Sequence, residues 1–579
     1  MNIRESKIIK NLWIAFLIVA VFWPLAFINK GIDFLDTGYY LANYANILKM
    51  PEKFGIGTFL SSYFGGLIYS VIPSHHLMVF KLLNMLFNGI SILLAFLVMK
   101  EYFNRNLLSF FTMIASFLLS RYPLCLSYNT FSVLLLSVAV FILHKWFYER
   151  KGYLLIVFGT IIGFSVFFRL PNILFALLCS SVFWIDTLTE QKKDIIHDAV
   201  KVLIGGILGF AMGLTIVLVL IGPSQFIKSM LYFSNVATGS NDSHSILRTI
   251  MTIGHSILSM AHKHLFYMAF SIIFLLVLPN IIYKYRTMKK DKHFKLMLAL
   301  FILTLIVAFC LTEIKFHEII TSVLMTASLV ISVSAFSIWY YRKNDINFSA
   351  ISMCILVISI VITLGTDNAF AQHTVVCFWL LPYAILTFCN LIKELYYNEP
   401  NRLNSVIVSC FIIILIYVSG SNIYNATTLT YIKQYGESYK ETVAMPNNKY
   451  LAGVKTTKEK VVAIDGITEF MKNDKYKGKK ILAMNHIPII YALLDNENLL
   501  GASFWPDLES VPMSKIRTNL EESEKNNDLP VIIIYDPPRD DSALGEKLSY
   551  VREFCERMNY TVADKGILNG EKIYTILVP

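Results

Sequence analysis

The stretch Asp33-Phe34-Leu35-Asp36-Thr37-Gly38-Tyr39-Tyr40 follows directly on the first long apolar run of the chain, Leu12 to Phe27. It puts two carboxylates within four residues at what reads as the outer mouth of a membrane helix. An ionisable side chain is costly there, so its presence points to function. The candidate active site is placed at this turn.

Hydrophobic residues make up 55% of the sequence and charged ones 16%, and the mean hydropathy is +0.57. One apolar segment after another is long enough to cross about 30 Å of hydrocarbon, which excludes an ordinary soluble domain. The formal charge is +11. Its cations collect in short loops between apolar runs, as the positive-inside rule requires, so no nucleic-acid partner is implied. Of the eight cysteines, only Cys555 falls in the polar C-terminal part, and none shows metal-like spacing. No disulfide framework follows. Arg4, Lys7 and Lys10 flank the first apolar run, and no small-residue cleavage site succeeds it, so the run reads as a retained first helix.

The first outer loop runs from about residue 28 to 76. Within it, Tyr39 to Leu48 has helical spacing and reads as an amphipathic helix lying on the membrane surface. Gly55 to Leu60 interrupts it, and Ser61 to Ile72 reads as a second interfacial piece. Further spans are expected near Leu77–Met99, Leu107–Leu119, Phe131–Leu143, Leu154–Phe168, Ile173–Ile185, Val202–Ile221, Leu265–Ile282, Leu296–Leu311, Ile319–Trp339, Ala350–Leu364, Val375–Ile392 and Val406–Val418. The total is about thirteen, and an odd number puts the termini on opposite sides. Loop cations such as Lys145, Arg150, Lys192, Lys289 and Arg402 fall on the N-terminal side, which makes that side cytoplasmic.

The division expected is a membrane domain over residues 1–421 and an extracytoplasmic α/β domain over 422–579. Lys479–Met484 and Leu529–Tyr535 read as buried strands, helices are expected near Ile467–Lys472, Pro488–Leu494 and Ala543–Met558, and the last two strands pair across Leu568-Asn569-Gly570. Asp33 and Asp36 suit helix N-caps. They also suit proton transfer, one carboxylate accepting a proton from a hydroxyl or amine while the other orients it or binds a metal ion. No Gly-rich phosphate loop, Walker motif, dinucleotide fingerprint or zinc-hydrolase motif occurs.

Leu35-Asp36-Thr37-Gly38-Tyr39-Tyr40, the broken amphipathic stretch, Phe64-Gly65-Gly66-Leu67-Ile68-Tyr69 and a span carrying His75, His76 and Lys81 together resemble the start of GT-C glycosyltransferases. The protein O-mannosyltransferases and the lipid A aminoarabinose transferase are the families they are most similar to. That family typically has Asp-Glu in the first outer loop; here Thr37 stands in place of the Glu. The resemblance implies a GT-C-like membrane enzyme that moves one sugar, with inversion, from a polyprenyl-phosphate carrier. The acceptor is a glycolipid, a polysaccharide or a protein on the outer face of the cytoplasmic membrane. Asp36 would be the base, seconded by Asp33.

The lipid-phosphate leaving group needs fixed positive charge. Lys81, Arg169 and Arg121 are the first candidates on the outer side, followed by Arg248 and Lys315. Arg169 sits in a two-helix corner, Phe168-Arg169-Leu170-Pro171, suited to bidentate phosphate binding. Tyr39, Tyr40, His317, Glu318 and Asp367 are the expected acceptor or cavity residues. Gly222 to Lys263 reads as a lid. No cofactor is certain, and a divalent ion is left open. The rival readings are a flippase of lipid-linked glycans and an inactive scaffold of a surface-polysaccharide complex.

Overall fold

The computed structural model describes residues 11–119, 125–189, 192–238, 251, 330–331, 333–364, 369–396, 442–508, 511–536 and 542–579. Among these, five helices are long and apolar enough to cross a membrane: His76–Met99, Tyr128–Glu149, Leu170–Leu188, Ile195–Ile221 and Gln372–Leu391. Shorter apolar helices cover Leu12–Phe27, Ile56–Val71, Gly152–Ser165 and Ile346–Val361. The expected spans at Leu265–Ile282, Leu296–Leu311 and Val406–Val418, most of the one at Ile319–Trp339, most of the expected lid and the boundary at 421/422 lie outside the described residues.

The N-terminal part is a helical bundle. Its elements are α1 (Leu12–Phe22), α2 (Asp36–Asn46), α3 (Phe59–Val71), α4 (His76–Met99), α5 (Arg105–Leu119), α6 (Tyr128–Glu149), α7 (Gly152–Ser165), α8 (Cys179–Leu188), α9 (Lys192–Ile221), α10 (Pro223–Thr238), α11 (Ile346–Val361) and α12 (Cys377–Tyr396). Ser127 caps α6 by accepting from the Thr130 amide, and Asp345 caps α11 through the Phe348 amide. Helix α7 ends at Ser165, Arg169 is extended, and a 3-10 stretch over Leu170–Leu178 leads into α8. The corner expected at Arg169 is therefore present.

The C-terminal part adds α13 (Lys458–Met471), β1 (Ile481–Met484), α14 (Ile490–Leu493), α15 (Met513–Lys525), β2 (Val531–Tyr535), α16 (Ser542–Arg557), β3 (Thr561–Leu568) and β4 (Glu571–Val578). The sheet order is β1-β2-β4-β3, with β1 and β2 parallel and the other pairs antiparallel. Asn569 and Gly570 both have positive φ, the conformation a two-residue hairpin turn demands. Two helices differ from the sequence reading. Helix α13 starts well before Ile467 because Thr457 caps it by accepting from the Lys460 amide, and it runs on through Gly466, which packs against the Tyr574 hydroxyl. Helix α15 was not expected; it buries only Ile516, Leu520 and Ser523 and is otherwise polar.

Alternation along β2 fixes the layering, since successive side chains point to opposite faces. Ile532 and Ile534 join α15 and α16 in one core through Ile516, Leu520, Val551 and Phe554. Val531, Ile533 and Tyr535 belong to a second core that also contains Ile32, Phe34, Tyr40 and Leu41. The first outer loop and the C-terminal α/β unit thus share one hydrophobic core. That sharing alters the expectation for α2. Thr37, Gly38, Tyr40, Leu41, Ala42, Asn43, Tyr44 and Asn46 are all buried, so the helix is enclosed between α3 and α14 instead of lying with one face open to lipid.

Candidate active site

The turn is built from its backbone upward. Gly31 has a φ of +78°, which redirects the chain after the first apolar helix and sends Ile32, Phe34 and Leu35 into the core. Asp33 then accepts from two amides, Oδ1 from Leu35 at 3.1 Å and Oδ2 from Thr37 at 2.8 Å. Thr37 is the second residue of α2, so Asp33 satisfies one of the amides that a helix N-terminus leaves unpaired. Asp36 is the first residue of that helix and is half-buried, in the region where the helix dipole favours a carboxylate. The two acids therefore have different surroundings: Asp33 is fixed to backbone, and Asp36 stands at the helix entrance.

Lys81 lies beneath the turn. It is buried in α4, and its ammonium donates to the carbonyls of Lys30 at 2.6 Å and Gly31 at 2.8 Å. Both Lys81 and Asp33 act electrostatically on the Cys125 thiol, whose pKa burial pushes up.

A row of rings links this turn to Arg169. Tyr39 and Tyr40 have centroids 6.0 Å apart, and Tyr40 meets Tyr128 edge-on at 5.6 Å. The Arg169 guanidinium stands over the Tyr128 ring at 5.9 Å. It also donates to the Leu364 carbonyl at 3.0 Å, although the residue is only 4% exposed. Arg169 is thus turned into the protein from its corner and does not reach back to solvent as a snorkelling side chain would.

The C-terminal unit forms the roof. Trp505 lies 6.3 Å from Tyr39, and its indole N–H donates to His486 Nδ1 at 3.2 Å. In the neutral imidazole that bond leaves the proton on Nε2. Asn485 and His486 both adopt positive φ, and the Asp507 carboxylate holds them by accepting from their amides at 3.3 and 2.7 Å. This pair sits at the C-terminal end of β1, the edge of a parallel strand pair where α/β folds place ligands.

Of the residues singled out from sequence, the structure brings Asp33, Asp36, Tyr39 and Tyr40 together, with Arg169 joined through Tyr128 and Lys81 below. His76 is elsewhere, its ring 4.1 Å from that of Tyr69 and 5.0 Å from that of Tyr450. Arg121, Arg248, Lys315, His317, Glu318 and Asp367 lie outside the described residues. Tyr128, His486, Trp505 and Asp507 were missed. The signal for His486 was its place straight after the buried run Ile481–Met484; nothing local marked the others.

Among the described residues, no group of three or more His, Cys, Asp or Glu side chains is arranged to hold a metal ion. Asp33 already has both oxygens on amides.

No family model matches the chain, and no curated protein matches it. Among solved structures, the crystal structure of the Archaeoglobus fulgidus oligosaccharyltransferase in complex with zinc and sulfate is similar to it. The identity is 12%, the match covers 90% of this chain and 68% of that one, and the TM-score is 0.46. At that identity and score the similarity carries no functional inference.

Proposed function

We propose that this chain is a membrane glycosyltransferase of the GT-C type. It moves one sugar, with inversion, from a polyprenyl-phosphate donor to a hydroxyl or amine of a glycan, lipid or protein acceptor on the outer face of the cytoplasmic membrane. The observation that supports this best is the row of Tyr39, Tyr40 and Tyr128 rings, which starts in the helix that the half-buried Asp36 opens and ends at the buried guanidinium of Arg169. An acid and a cation at the two ends of one aromatic surface are what the reaction requires.

In this reading Asp36 takes the proton of the acceptor hydroxyl as its oxygen bonds to the anomeric carbon. The bond from that carbon to the phosphate oxygen breaks, and the lipid phosphate leaves with its electron pair. Arg169 stabilises the charge that develops, in a low-dielectric setting where a fixed cation counts most. Asp33 keeps the N-terminus of α2 wound, and Lys81 acts through the loop backbone as a positioning residue. Tyr39 and Tyr128, each half-buried, supply faces for a sugar ring, and the buried Tyr40 packs between them.

The test is transfer of labelled sugar from polyprenyl phosphate by the full chain in lipid, wild type beside Asp36→Asn, which keeps size and removes basicity. The expected loss is about 100-fold or more, with donor binding retained. Equal transfer by the variant would remove Asp36 as the base and favour a non-catalytic scaffold role for its turn. Label that crosses the bilayer unchanged with both proteins would instead establish a flippase.

A further inference from the structure

The backbone that leads into the Asp33–Asp36 turn is gripped by ammonium groups from two sides. Lys81 takes the carbonyls of Lys30 and Gly31 from the bundle side. Lys460, 428 residues further along the chain than Ile32, takes the Ile32 carbonyl at 2.9 Å from the side of the C-terminal unit. Three successive carbonyls therefore end on two lysines from opposite halves of the molecule.

Lys460 is itself held in place. It lies in the first turn of α13, where its amide donates to the Thr457 cap at 3.4 Å. Its ammonium stands 5.2 Å from the centroid of the Phe34 ring. Phe34 in turn lies 5.4 Å from Tyr535, whose hydroxyl donates to Glu459 at 2.6 Å. The same stretch is tied down just before the turn. The Gly31 amide donates to the Lys455 carbonyl at 2.8 Å, the Lys455 amide to Asn29 at 2.9 Å, and Lys30 Nζ to the Thr442 carbonyl at 3.0 Å.

We infer that Lys460 is a positioning residue for the reaction. Together with Lys81 it fixes the Asp33–Asp36 turn, so the site is complete only while the C-terminal unit is docked. The effect runs through the backbone. With Ile32 fixed, Asp33 stays on the Leu35 and Thr37 amides, the first turn of α2 stays wound, and Asp36 keeps its aim. A base displaced by about 1 Å costs of the order of 100-fold in rate. Arg169 donates to the Leu364 carbonyl and stands over Tyr128 in the bundle, and neither contact passes through Lys460, so donor binding should be retained. The inference rests on the proposed transferase reading for its kinetic consequence, but not for its structural one.

The test uses the full chain in lipid nanodiscs and three variants. Lys460→Met keeps the aliphatic stem over Phe34 and removes the donors, Lys460→Arg restores a cation, and Lys458→Met removes an exposed charge from the same helix turn. Hydrogen exchange is read on the peptide spanning residues 31–37, and kcat and donor KM are read from sugar transfer. Lys460→Met is expected to raise exchange of that peptide and lower kcat, each by about tenfold or more, the worth of a charge-assisted hydrogen bond. Donor KM should stay within about twofold, since the donor side keeps all its contacts. Lys460→Arg should recover most of both, and Lys458→Met should match the wild type. Unchanged exchange in Lys460→Met overturns the inference whatever the activity, and raised exchange with unchanged kcat overturns it as well. Raised exchange in a protein whose wild type transfers no sugar would support the clamp and sink the transferase reading instead.

Discussion

Asp33 and Asp36 are three positions apart and chemically identical, yet their surroundings divide them. Asp33 spends both oxygens on amides within its own turn, while Asp36 opens the helix those amides belong to. The sequence shows two acids before a helical pattern, and either fits a cap; which of them is the cap depends on a backbone fixed by residues more than 400 positions away. A third acid gives a pH prediction. Burial raises the pKa of the Asp465 carboxyl above its usual 3.8, against the opposing Asn447 amide and Lys472. A carboxyl raised on folding contributes most below 3.8, and that contribution is lost as pH rises through the folded value. Asp465→Asn keeps an acceptor for the Asn447 amide and removes the charge. The variant should therefore melt at or above the wild-type temperature at pH 7, with the difference closing below pH 4. A variant that melts lower at pH 7 would mean that the Lys472 attraction outweighs burial.

At the scale of elements, the apolar runs were legible because a helix that crosses hydrocarbon must satisfy its own backbone. Helix α4 follows its sequence pattern closely, whereas α6 and α9 contain the expected runs Phe131–Leu143 and Val202–Ile221 and extend beyond them to Tyr128–Glu149 and Lys192–Ile221. How two of those helices approach was less visible. Gly159 and Gly163 of α7 lie against the backbone of Val202, Gly206 and Phe210 in α9, and a Cβ placed at Gly209 would run into the Thr160 carbonyl oxygen. Backbone meets backbone there, the contact small residues allow within membranes. Gly209→Val should destabilise the bundle by about 1–3 kcal/mol, the usual cost of overpacking. Gly206→Ala is the internal control, because a Cβ there meets nothing within 4 Å; it should be neutral or stabilising by up to about 1 kcal/mol through helix propensity. Unfolding in graded denaturing detergent reads both. Equal effects at the two glycines would mean that α7 and α9 do not touch in the way described. In the C-terminal unit, the all-apolar β1 and β2 and the Asn569-Gly570 turn were readable for local reasons. The polar helix α15 was passed over because its stripe of Ile516, Leu520 and Ser523 is too thin to stand out from loop composition.

The whole molecule is where local reading ran out, since the roof of the candidate site comes from the far end of the chain. Nothing near Trp505 or His486 announces Tyr39 as a neighbour. What joins the halves is a close approach at Gly38, where a Cβ would lie 2.6 Å from the Ile489 nitrogen and 2.8 Å from its Cα. Around it, Asn46 donates to the Tyr491 carbonyl at 3.3 Å, Tyr69 to Ala492 at 3.1 Å, and Lys53 pairs with Glu497 at 3.0 Å. The Lys53 pair is exposed on both sides and adds little, so the helix-to-backbone contact dominates. Gly38 belongs to α2 and would tolerate a side chain in an isolated helix; only docking forbids one. Gly38→Val should therefore cost the docked state about 1–3 kcal/mol by overpacking. Two readouts follow. Limited proteolysis after residue 442 should accelerate, and sugar transfer should fall together with it, whereas Gly545→Ala, at an open position on α16, should change neither. Transfer that survives while proteolysis accelerates would show that the bundle carries the chemistry alone. Resistance to proteolysis equal to the wild type would show that α2 and α14 are not in contact, and the roof over Asp36 would have to be rebuilt from other residues.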